Sequence, residues 1–164
     1  MTVVELAQET AADPGADHAA LALNAAGAVG CWGHDEHGKV GPVRNGFLMV
    51  SVGLNHSCGI SSEYALECWG RDEDGESTPP EGSFAHVSAG GAHTCAVDRD
   101  GEMHCWGSNE FNQVTNTPTG TGFTAIAGGG YHSLALKSDG SLISWGDDGD
   151  NQVTNTPLGT DFTA

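Results

Sequence analysis

Histidine stands next to a hydroxyl residue three times in this chain, at His56-Ser57, His93-Thr94 and His132-Ser133. Brought together on one surface, such a pair could act as base and nucleophile. On a strand, adjacent side chains point to opposite faces, so no histidine easily reaches its own neighbour. The recurrence of the step also marks it as structural. Two other groupings could hold a metal: His34-Asp35-Glu36-His37, and the acids Asp147, Asp148 and Asp150. The same slot elsewhere holds Arg71-Asp72-Glu73-Asp74 and Ser108-Asn109-Glu110-Phe111. It reads as a variable loop whose second residue is an Asp or Asn turn former, and the calcium-hand pattern is missing. The expectation is no catalytic residue, no metal and no cofactor.

These residues are positioned by a repeat. Trp-Gly recurs at Trp32-Gly33, Trp69-Gly70, Trp106-Gly107 and Trp145-Gly146, in steps of 37, 37 and 39 residues. A fixed period of this size marks a modular fold. The clearest unit, Phe123 to Asp161, reads as a strand over Thr124 to Ala127, a glycine break, and a second strand over His132 to Leu136. The turn Ser138-Asp139-Gly140 follows, with its glycine in a left-handed position, and then a third strand over Ser141 to Trp145. A short fourth strand is expected near Val153. No segment has a helical apolar period, so the fold class is all-β. The units run approximately 1–46, 47–83, 84–122 and 123–161 in one repeat domain, with Thr2 to Ala7 as a worn first strand. Phe162-Thr163-Ala164 reads as the opening of a further unit.

A three-residue turn fixes the hairpin register. Leu134 faces Ser144, Leu136 faces Leu142 and Ser133 faces Trp145. The same rule sets Cys95 opposite Cys105, Thr94 opposite Trp106, Cys58 opposite Cys68, Ser57 opposite Trp69, Leu21 opposite Cys31 and Ala20 opposite Trp32. Every tryptophan thus meets a small residue, which leaves room for the indole or a neighbouring sheet. The register places Cys58 with Cys68 and Cys95 with Cys105 for disulfides, each closing a loop of about eleven residues. Buried thiols are the other reading. Zinc is disfavoured because CxxC-type spacing is absent. Cys31 has no partner.

The tandem pattern G-x-x-H-[ST]-x-A-[LV], then [DN]-G and W-G-x-[ND]-x-x-[GN]-Q, resembles the repeat of the regulator-of-chromosome-condensation family. Residues 84–161 match it closely, 47–83 well as far as Glu76, and 1–46 loosely. The resemblance implies β-propeller blades of three to four antiparallel strands and protein binding on a propeller face. Members of that family include exchange factors for a small GTPase, ubiquitin-ligase scaffolds, a plant ultraviolet receptor and a secreted bacterial inhibitor of β-lactamase. The Trp-Arg-rich repeat of the receptor is absent. A seven-bladed ring would need roughly 270 residues at this period, against 164 here. The expectation is therefore about four blades, a partial propeller. It would be a fragment, a small ring, or an arc completed by self-association.

Net charge is -17, with Lys39, Arg44, Arg71, Arg99 and Lys137 as the basic residues. That disfavours nucleic acid and acidic membrane surfaces as partners. It fits solubility in high salt, a halophile-like composition, or a basic protein partner. No stretch reaches the ~18 apolar residues of a membrane helix, and residues 1–20 lack the regions of a signal peptide. Paired cysteines lean towards an extracytoplasmic compartment; Asn55-His56-Ser57 is a glycosylation sequon. Within the repeat, two slots vary while the framework holds. One precedes the histidine (Asn55, Ala92, Tyr131); the other follows Trp-Gly (His37, Asp74, Phe111, Asp150), with Glu110 beside it. Variable loop residues on a fixed scaffold are where recognition concentrates. The expected partner-binding set is Asn55, Tyr131, His37, Asp74, Phe111, Asp150 and Glu110, with Phe111 and Tyr131 as aromatic anchors.

Overall fold

The computed structural model describes residues 19–42 and 44–164. The expected first strand over Thr2 to Ala7 lies outside them. The described residues form strands and turns with no helix. Blade 1 pairs β1 (Ala19–Leu23) with β2 (Val29–Gly33). Blade 2 is β3 (Phe47–Val52), β4 (His56–Ser61) and β5 (Leu66–Gly70). Blade 3 is β6 (Phe84–Ala89), β7 (His93–Asp98) and β8 (Met103–Gly107). Blade 4 is β9 (Phe123–Gly128), β10 (His132–Lys137) and β11 (Leu142–Gly146). Each three-stranded blade is an antiparallel meander with its second strand in the middle.

The register follows the turn-length rule throughout. Ser133 pairs with Trp145 and Leu134 with Ser144, Cys58 with Cys68, Cys95 with Cys105, and Ala20 with Trp32. Gly140 takes φ +80° in the turn, as its position requires. Strand β11 begins one residue later than expected, because the Ser141 N–H is bound by the Asp139 carboxylate at 3.0 Å. The fourth strand expected near Val153 does not form. Asp148 Oδ1 accepts the N–H groups of Val153 and Thr154, and the Asn155 N–H returns to the Asn151 carbonyl at 2.9 Å. Donors held within a turn cannot enter a ladder.

The core lies between blades rather than within them. Leu21, Val29, Phe47, Val50 and Trp69 fill the first seam. Cys58, Ile60, Phe84, Val87 and Ala96 fill the second. Cys95, Val97, Met103, Phe123, Ala135 and Trp145 fill the third. A three-stranded sheet has two faces to bury, so each blade draws its stability from its neighbours. The phenylalanine opening each unit ties blades at the turn: the N–H groups of Phe47, Phe84 and Phe123 donate to the carbonyls of Gly27, Tyr64 and Gly101. Phe162 makes the same bond to Gly140. The disulfides Cys58–Cys68 and Cys95–Cys105 are formed, and Cys31 is free.

Candidate functional site: the loop rim

The histidines and hydroxyls meet across seams, not along the chain. His56 Nε2 is 2.7 Å from Thr94 Oγ1 of the next blade. Thr94 donates in turn to the Glu76 carbonyl at 3.0 Å. Since that proton is committed, Nε2–H must donate to Thr94, and Nδ1 carries the bare lone pair. His93 Nε2 repeats the contact with Ser133 Oγ at 2.8 Å. Ser57 instead donates back to the Lys39 carbonyl at 2.9 Å. Both His56 and His93 are fully buried. A side chain on Gly90 would meet the His93 ring at 2.5 Å, so the glycine of G-x-x-H makes room for the imidazole. Burial pulls the proton affinity of both rings down to a pKa of about 4, helped by neighbouring positive charge. Neutral, buried and engaged with another blade, these histidines close seams.

The slot that ends the Trp-Gly pattern has a structural use that the pattern alone did not reveal. Seven residues after each tryptophan stand Lys39, Glu76, Gln113 and Gln152. The indole N–H of Trp69 donates to the Lys39 carbonyl, that of Trp106 to Glu76, and that of Trp145 to Gln113, at 2.8, 3.0 and 2.9 Å. The side chains fold inward to hold their own loop: Glu76, Gln113 and Gln152 accept the N–H of Asp74, Phe111 and Asp150. The constant offset from tryptophan was visible in the sequence; that it carries a contact between blades was not.

The loops so held form a rim at one end of the blades. In blades 2, 3 and 4 a backbone bond joins the loop after Trp-Gly to the slot before the histidine: Arg71 N–H to the Asn55 carbonyl, Ser108 to Ala92, and Asp147 to Tyr131. Asp72, Asn109 and Asp148 act as the expected turn formers, each accepting backbone N–H groups five residues on. The Asp148 carboxylate also takes the Thr154 hydroxyl, and Asp147 binds the Gln152 amide at 3.0 Å.

Of the seven expected partner-binding residues, the structure brings two into contact. The rings of Phe111 in blade 3 and Tyr131 in blade 4 lie 5.0 Å apart at 43°. They remain 39% and 44% exposed. His37 is exposed, and the neighbouring Glu73 carboxyl is held below its ordinary value chiefly by its hydrogen bond to Arg71. Asp74 lies 3.7 Å from Arg71. Asp150 and Glu110 are exposed, and Asn55 is half-buried. At the opposite end, His104 Nε2 binds Asp98 Oδ2 at 2.9 Å, with Glu102 near both. That cluster lies beside an open groove along β8, about 790 Å³ in volume.

Three-stranded blades stacked through buried seams define a partial β-propeller. The particular kind follows from the repeats: residues 84–113 and 123–152 match the regulator of chromosome condensation (RCC1) repeat. Among solved structures, the ectodomain of the Physcomitrella patens receptor kinase CR4 is 27% identical, with a TM-score of 0.71 over 92% of this chain and 42% of that one. The CRINKLY WD40 ectodomain of the Arabidopsis thaliana receptor kinase ACR4 is 28% identical, with a TM-score of 0.67 over 78% and 47%. A structure of Kap60 bound to yeast RCC1 (Prp20) matches at 20% identity and 0.69 over 88% and 43%. The chain spans less than half the length of each. No curated protein matches it.

Proposed function

We propose that this chain is a non-enzymatic protein-binding module whose partner docks on the loop rim. The observation that carries this reading is the exposed Phe111–Tyr131 pair, assembled from two blades by loops whose own polar groups hold them in place. Exposed paired aromatics on a fixed scaffold are the usual currency of protein interfaces. His56, His93 and the hydroxyls of Thr94 and Ser133 are consumed by seams, which removes these enzyme-like residues from the surface. The yeast relative seen with Kap60 supports a protein partner. The two cross-strand disulfides fit an oxidising compartment, and so favour an extracytoplasmic protein, such as a secreted enzyme, over a small GTPase. Solubility in high salt remains the other use of the acidic charge.

Self-association is a second assembly for the same scaffold. It is favoured by the apolar face of blade 4, where Ala125, Ile126, Leu134 and Leu136 line an open groove with Phe162. A copy docking its blade 1 there would offer Ala20 where His132 calls for a hydroxyl, so such pairing lacks one polar tie. Light scattering at raised salt tests it.

Site-specific photocrosslinking tests the rim. A crosslinker at Asp150 should capture one defined protein, and a crosslinker at Glu63 on the hairpin end should not. Equal capture at both positions, or capture only at Glu63, defeats the reading.

A further inference from the structure

The chain has five basic residues, and each already has a use. The Arg44 guanidinium lies 4.6 Å above the Trp69 ring and pairs with Glu67 at 3.2 Å. Arg99 lies 4.2 Å above Tyr64. The Lys137 ammonium is 5.5 Å from the centre of Phe123. Arg71 closes on Glu73 at 2.6 Å and faces Glu76. Lys39 is buried and donates to the Leu54 carbonyl at 2.6 Å. Three aromatic rings, Trp69 and Tyr64 in blade 2 and Phe123 in blade 4, thus carry a cation, two of them a guanidinium.

Phe111 and Tyr131 carry no such cation: among the described residues, no guanidinium or ammonium lies over either ring, although both rings are open to solvent. Their surroundings are acidic. Glu110 precedes Phe111, and the loop holding Asp147, Asp148 and Asp150 is tied by backbone to Tyr131. Asp147 and Asp148 are engaged within their loop, whereas Glu110 and Asp150 are exposed on the same rim loops. An aromatic pair bordered by carboxylates attracts a cation through the ring quadrupole and through charge. A planar, weakly hydrated guanidinium stacks on rings better than an ammonium does.

We propose that the Phe111–Tyr131 pair seats an arginine side chain of the protein partner, with Glu110 and Asp150 supplying the flanking charge. The proposal rests on the rim being the docking surface, and adds the chemistry of what docks. The external arginine stands to this pair as Arg99 stands to Tyr64.

Labelled hexa-arginine, hexa-lysine and hexa-citrulline peptides, titrated by fluorescence anisotropy at ~0.15 M salt, where long-range charge is screened, provide the test. Hexa-arginine should bind ~5-fold or more tightly than hexa-lysine, and hexa-citrulline should not bind. The double variant Phe111→Ser, Tyr131→Ser should bring hexa-arginine down to the hexa-lysine level. Glu110→Gln with Asp150→Asn should weaken both cationic peptides and preserve the arginine preference. Equal affinity for arginine and lysine in the unaltered protein overturns the proposal, as does a preference that survives loss of both rings. Either result leaves the rim reading to the crosslinking experiment, which does not depend on the rings.

Discussion

The seams between blades and the rim of loops are cut from the same repeat, yet they differ in what they tolerate. In the seams, chemically distinctive residues recur with little change. His56 and His93 each reach a hydroxyl of the next blade, and each of Trp69, Trp106 and Trp145 donates to the preceding blade. On the rim, one slot runs through His37, Asp74, Phe111 and Asp150. The lesson is that reactivity in a residue type is a poor guide to function when the residue repeats. A histidine that must be neutral and buried to join two blades is unavailable for proton transfer at the surface. The rim holds plainer residues, but they are exposed and differ from blade to blade.

Acid should break the seams first. The folded pKa of His56 and His93 is about 4, against an ordinary value of 6.5, chiefly because burial penalises the charged ring. Between these values the unfolded chain binds more protons than the folded one. The contribution is therefore complete above pH 6.5 and is lost as pH falls towards 4. Two such groups amount to roughly 6 kcal/mol. Denaturant unfolding at pH 7 and pH 4 measures the loss, and replacing both histidines with glutamine should flatten the profile. Equal stability at the two pH values would mean that neutral imidazoles do not close the seams.

Reduction should come next. Each disulfide lies across one hairpin and closes a short loop, which contributes about 2–3 kcal/mol. Thiol counting on intact unfolded protein should find one free thiol, Cys31, and five after reduction. Thermal melting should then drop for the reduced form. Five thiols before reduction would remove both bridges and weaken the case for an oxidising compartment.

A pair of substitutions separates the seams from one another. Thr94→Val preserves shape but strips the acceptor from buried His56 and a donor from the Glu76 carbonyl, a loss of about 2–3 kcal/mol. Ser57→Ala removes only a donor to the Lys39 carbonyl, which retains the Trp69 indole, and should cost about 1 kcal/mol. Equal losses would show that the histidine contact adds nothing to the seam.

Blade architecture was legible in the sequence because hairpin register is a local property. A three-residue turn fixes the pairing of Ser133 with Trp145 and of Cys58 with Cys68, and the structure agrees. The strand expected at Val153 failed for a local reason too. Asp148 captures the donors a strand would have used, an outcome implicit in the turn-forming role given to that same slot. What could not be read was the content of the seams. The His56–Thr94 contact spans 38 positions, about one repeat, and nothing in one unit says which face of its neighbour it meets. The cation over Tyr64 comes from the next blade for the same reason. The rim was legible as a set of variable slots. That Phe111 and Tyr131 touch depends on the packing of blade 3 against blade 4.

The smallest effect on stability sharpens the comparison most. Phe111→Ser with Tyr131→Ser removes two half-exposed rings from the rim and leaves every described seam bond in place. The Gln113 side chain would still accept the residue 111 N–H, because that bond is to backbone. The residue 131 carbonyl would still accept from Asp147 for the same reason. Surface changes of this kind fall within about 0.5 kcal/mol, apart from the modest ring–ring attraction, itself about 0.5–1.5 kcal/mol when buried and less in water. Equilibrium unfolding should therefore place the double variant close to the unaltered protein. A loss approaching that of Thr94→Val would assign the aromatic pair to the seam between blades 3 and 4, as a clamp rather than a docking surface. A near-neutral result leaves two exposed aromatic rings in contact that stability does not require, as expected of residues held for a partner.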